Sequence, residues 1–139
     1  MAASSWRDGL ELVTRPDDWE RLGYLREVGD GMWEPLTLLG IPLGEPRSRE
    51  EALAVVRAEG LGIIARPWWV RAPNPMVESW VDARSIDESV EWRRMVIVEL
   101  TPDRALLRSE IPWPEESGKL VCVDLPAADV LRADYPDEE

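Results

Sequence analysis

Apolar residues alternate weakly with polar ones over Leu10–Val13, which predicts a short strand. Thr14 and Pro16, followed by Asp17, Asp18 and Glu20, supply a hydroxyl cap, an early proline and first-turn acids. Together they predict a helix start, with Trp19, Leu22 and Val28 able to share one face. Gly23 weakens that helix, and Gly29 and Gly31 end it. Leu36–Ile41 reads as a strand, followed by a turn-rich passage through Pro42, Gly44 and Pro46. Ser48 and Glu51 have the spacing of a capping box. They open a helix carrying Ala52, Leu53 and Val56, with Gly60 as its stop and Leu61–Ala65 as a buried strand beyond.

In the second half, Pro67–Pro75 contains three prolines and cannot be regular structure throughout; it predicts an ordered loop or edge segment. Met76–Val81 reads as a strand, and Ser85 with Glu88 as a second capping box opening a short helix to about Trp92. The stretch from Arg94 or Met95 to Leu100 is the strongest strand, and its apolar run suits a central position covered on both faces. Ala105–Ile111 and Leu120–Val123 are further strands, and Ala127–Ala133 a last helix. This pattern predicts an α+β (or α/β) fold: a single mixed sheet of about five or six strands with two to four helices packed on it. It forms one globular domain over residues 1–139, with frayed ends at 1–6 and 136–139.

Composition narrows the function more than the fold. The formal charge is -12, from 28 acids against 16 bases, and 15 of those bases are Arg. The Arg-for-Lys skew fits a GC-rich bacterial coding sequence. The negative charge repels phosphate, so no nucleic-acid partner is expected, and it attracts a basic protein. No apolar run approaches the roughly 18–20 residues of a membrane span, and the start lacks a signal-peptide pattern. The expected location is the cytoplasm, with no membrane partner.

The chain has no His and one Cys. That excludes Ser-His-Asp and Cys-His catalysis, His-ligated metals and thiolate zinc sites. No phosphate-binding glycine loop, dinucleotide fingerprint or calcium loop is present. No metal and no cofactor is expected. Cys122, inside the apolar Leu120–Val123, reads as a small buried hydrophobe.

The unusual residues gather between Ile63 and Leu100, where five Arg face six acids and four of the eight Trp lie. Trp68 and Trp69 are adjacent. In an extended segment they point to opposite sides, so at most one indole can easily face the core and the other faces solvent, a ligand or a partner. Pro67 stiffens the approach, and Trp and Arg are enriched at binding hot spots. The candidate binding residues are therefore Arg66, Trp68, Trp69, Arg71, Trp80 and Arg94. Trp19, Trp33, Trp80 and Trp92 also read as core filler in a chain without Phe. If the protein is an enzyme, Glu78 and Asp82 are the acid/base candidates, because a carboxylate pressed on the indole of Trp80 gains a raised pKa.

Three readings follow. The first is a small acidic, non-catalytic protein-binding module that docks a basic partner through Trp and Arg anchors. Immunity proteins, antitoxins, nuclease inhibitors and DNA mimics share this physical profile. The second is a small enzyme or binder of secondary metabolism, with a Trp-lined pocket, a carboxylate, and an apolar or anionic ligand held by Arg71 or Arg94. The third is a homodimer that uses the Trp-rich face on itself.

Overall fold

The capping box at Ser48 does open a helix, α1 (Arg49–Ile64), in which the Glu51 amide donates to Ser48 Oγ at 3.2 Å. It is the one α-helix among residues 5–136, which the computed structural model describes. The remaining regular structure is two sheets, of four and five strands. The expected single sheet with two to four helices is thus corrected to a mostly β chain, for which α+β is a poor description. The chain forms two compact units, one ending at Ile64 and the other beginning at Ala65.

In the first unit, β1 (Glu11–Thr14), β2 (Arg21–Gly29), β3 (Met32–Leu36) and β4 (Arg47–Ser48) lie side by side in that order, all antiparallel. α1 packs Ala52 and Val56 onto Val13, Leu22 and Leu25. The helix expected after Thr14 is a turn and then β2. The Arg15 amide donates to the Glu20 carbonyl at 2.8 Å, and the Asp18 carboxylate takes the Glu20 amide at 3.1 Å. Asp18, one of the acids that resemble a helix start, is spent on that turn. Trp19 stands at its tip with φ 61, 77% exposed, so it is not core filler.

Gly23 and Gly60 explain two further differences. A Cβ on Gly23 would overlap the Leu36 carbonyl oxygen and lie 2.8 Å from a Val56 methyl. This glycine lets a strand approach the helix rather than weakening one. A Cβ on Gly60 would overlap the Leu22 carbonyl oxygen, so α1 runs through Gly60 and pins β2 there. The strand expected over Leu61–Ala65 is instead the last turn of α1 and the residue after it. Leu36–Ile41 is likewise no strand beyond Leu36: Thr37 Oγ1 takes the amides of Leu39 and Ile41, at 3.0 and 3.2 Å, and turns the chain.

The second unit has β5 (Trp68–Arg71), β6 (Trp80–Asp82), β7 (Trp92–Leu100), β8 (Arg104–Ser109) and β9 (Leu120–Asp124) in the order β5-β7-β8-β9-β6. Only the β6–β9 pair is parallel. β7 is interior to the sheet as expected, but Val98 is 46% exposed, so its far half is not covered on both faces. The helix expected from Ser85 to Trp92 is a single 3-10 turn, Ala83–Ser85, followed by β7. The helix expected over Ala127–Ala133 makes one turn. Arg132 then exchanges two backbone hydrogen bonds with Trp69, at 2.8 and 2.9 Å, which cover the edge of β5. Cys122 is buried in β9, and burial raises its thiol pKa. No helix among the described residues is long and apolar enough to cross a membrane. Residues 1–4 and 137–139, within the ends expected to fray, lie outside the described residues; Trp6 packs edge-on against Tyr24 at 5.3 Å.

Candidate functional site

β5 alternates as a strand must: Trp68 and Val70 are buried, Trp69 and Arg71 half-buried on the other face. Trp68 is only 1% exposed and belongs to the core. The pairing of Trp69 with Arg94, and of Arg71 with Trp92, puts all four on one outer face. There the Arg71 guanidinium lies 4.6 Å from the Trp92 ring, and that of Arg94 5.9 Å from Trp69. Tyr135 meets Trp69 edge-on at 4.8 Å, and Arg94 pairs with Glu110 at 3.3 Å.

This face continues into a groove of about 380 Å³ lined by Trp69, Trp92, Arg94, Asn74, Ile111 and Trp113. Trp113 and Ile111 form one wall and are 52% and 81% exposed. Asn74 stands on the other side, and its side-chain oxygen takes the Trp113 indole N–H at 2.7 Å. Two loops therefore make the walls, one around the cis Asn74–Pro75 bond and one from Ile111 to Glu116.

A buried ion pair ties those loops together. Arg93 donates from both terminal nitrogens to Glu116, at 2.6 and 3.0 Å, and also to the Pro73 carbonyl and Ser109 Oγ, at 2.7 and 2.9 Å. The Glu116 carboxylate in turn takes the backbone amides of Met76 and Trp113, at 2.5 and 3.0 Å. Both side chains are almost wholly buried. The Arg93 guanidinium and these two amides hold the Glu116 carboxyl at a pKa of about 2 against its burial. A paired, fully hydrogen-bonded carboxylate of this kind positions backbone; it is not poised to move a proton.

The sequence-derived candidates divide into three groups. Trp69, Arg71 and Arg94 share the outer face, and Arg66 joins Trp69, Arg94 and Tyr135 around a shallow cleft of about 230 Å³. Trp68 sits in the core. Trp80, Glu78 and Asp82 lie along a different groove, of about 420 Å³, with Val77, Pro73 and Ile86. Trp80 is 45% exposed and Arg104 lies 5.2 Å above its ring, so it is not core filler either. Glu78 and Asp82 are both exposed, and Asp82 accepts the Arg84 amide at 3.0 Å as the cap of the 3-10 turn. Neither carboxylate is pressed dry against an indole.

Sequence reasoning missed Trp113, Ile111 and the Arg93–Glu116 brace. Trp113 had a readable signal, an indole held between Pro112 and Pro114, much as Pro67 precedes Trp68. The brace joins residues 23 apart and had none. No group of three or more metal-ligating side chains gathers among the described residues. No protein-family model matches this chain, and no curated protein or solved structure matches it significantly.

Proposed function

We propose that this chain is a non-catalytic, inhibitor-like protein-binding module of the cytoplasm, which docks a basic partner on the groove between Trp69 and Trp113. One observation carries the reading: three indoles and the exposed Ile111 surround a groove whose two walls are locked from behind by the Arg93–Glu116 pair. Large aromatic anchors on a rigid support lose little entropy on binding and suit hot spots. The groove's own cations are answered within the unit, Arg93 by Glu116 and Arg94 by Glu110. Its centre is therefore aromatic and near neutral, while the net charge of -12 on the whole chain steers a cationic protein toward it. The enzyme reading finds less support, because the one deeply buried carboxylate described, Glu116, is fully paired.

The test is affinity capture followed by titration of the captured protein. Trp69→Ala and Trp113→Ala should each weaken binding by more than about 1 kcal/mol, and Trp80→Ala should leave it unchanged. A partner that binds both groove variants as tightly as the wild type rules this surface out.

A further inference from the structure

A second concavity, of about 360 Å³, opens on the other side of Trp92 among Val70, Ile86, Val130, Arg71 and Arg132. That volume lies at the small end of ligand pockets, which span roughly 300–1,000 Å³. Its cations are of two kinds. Arg84, at its rim, is committed: it pairs with Asp129 and donates to the Asp124 and Pro126 carbonyls, both at 2.6 Å. Arg71 and Arg132 form no ion pair within 4.0 Å among the described residues, although the Asp87 carboxyl lies near enough to Arg71 to feel its charge.

Both are held in place all the same. Arg71 donates to the Val90 carbonyl at 2.6 Å, and Arg132 donates from one nitrogen to the Ala128 and Leu131 carbonyls, at 2.8 and 3.1 Å. Both guanidiniums lie against the same indole, 4.6 and 5.7 Å from the Trp92 ring centre. A guanidinium has five N–H donors. Arg71 uses one and Arg132 two, so each keeps Nε or terminal N–H groups for a further acceptor. Two fixed cations with spare donors beside an apolar wall match an oxyanion joined to an apolar body.

We infer that this pocket binds a small carboxylic acid with a flat apolar body, its carboxylate held by Arg71 and Arg132 and its body against Ile86 and Val130. Exposed Glu88 and the paired Asp129 also line the cavity, and the chain as a whole is strongly acidic. Both features disfavour a dianion, so a monoanionic carboxylate suits the site better than a phosphate monoester.

The experiment uses the full chain, labelled with ¹⁵N, at low salt, and titrates benzoate, the neutral isostere benzamide and phenyl phosphate. Benzoate should shift the Trp92 indole N–H resonance saturably. Benzamide should bind at least tenfold more weakly, and phenyl phosphate more weakly than benzoate. Arg71→Gln and Arg132→Gln should each lose at least tenfold in benzoate affinity. Glu88→Gln, which alters only an exposed rim charge, should gain several-fold, and this arm decides if an Arg variant fails to fold. Equal binding of benzoate and benzamide overturns the inference, as does tighter binding of phenyl phosphate, wild-type affinity in both folded Arg variants, or no gain from Glu88→Gln.

Discussion

Glu116 is the residue on which the second unit's loops depend. Its carboxylate answers one guanidinium and two backbone amides, so neutralising it strands several buried donors at once. Glu116→Gln should destabilise the protein by about 3–5 kcal/mol in chemical denaturation, the usual range for breaking one side of a buried pair. The sign of the pH effect follows from its lowered pKa. The unfolded carboxyl titrates near 4.5 and the folded one near 2, so the contribution is complete above pH 4.5 and is lost as pH falls from there toward 2. Denaturation midpoints of the wild type should decline through that window, and Glu116→Gln should decline less. At this scale the sequence was partly readable. The opposite facing of Trp68 and Trp69 follows from strand geometry alone. The burial of Arg93 and Glu116 does not, because in a chain with 28 acids nothing local sets Glu116 apart from Glu115, which is exposed.

At the level of elements, the start of α1 was legible and its end was not. Ser48 and Glu51 act locally, through hydrogen bonds across one turn, so sequence spacing suffices. Gly60 acts through β2, which is far away in the chain, and resembles a helix stop only when β2 is ignored. Two glycines in the same helix therefore give opposite expectations. Gly60→Ala should destabilise by about 1–3 kcal/mol despite alanine's higher helix propensity, because its methyl must displace backbone. Gly62→Ala, whose Cβ meets nothing within 4 Å, should stabilise by roughly 0.5–1 kcal/mol. Urea denaturation of the two variants checks both. The strands β1, β8 and β9 were legible from their apolar runs. The helices expected after Thr14, at Ser85 and at Ala127 were not realised: the Asp18 carboxylate and the Ser85 hydroxyl close tight turns, and at Arg132 the backbone joins the edge of a sheet.

Over the whole molecule, charge is the property that composition reveals best. Residues 1–64 carry seven Arg against twelve acids, and residues 65–139 nine cations against sixteen acids, so neither unit is basic. Exposed ion pairs such as Arg49 with Glu11 and Arg26 with Glu34 leave that excess untouched and add little stability. Association with a cationic partner should therefore slow as ionic strength rises from about 0.01 to 0.15 M, while dissociation from the aromatic groove changes little. Stopped-flow measurement of the two rates separates steering from anchoring. An association rate indifferent to salt removes the argument from charge.

Cys122 turns the second unit into its own reporter. The chain has one sulfhydryl, shielded in β9, where burial also disfavours the reactive thiolate. Alkylating or disulfide-exchange reagents should leave the native protein unmodified for as long as β9 stays packed and react stoichiometrically once it opens. The first unit has no sulfur of this kind, so the labelling rate follows the loosening of the groove-bearing half alone.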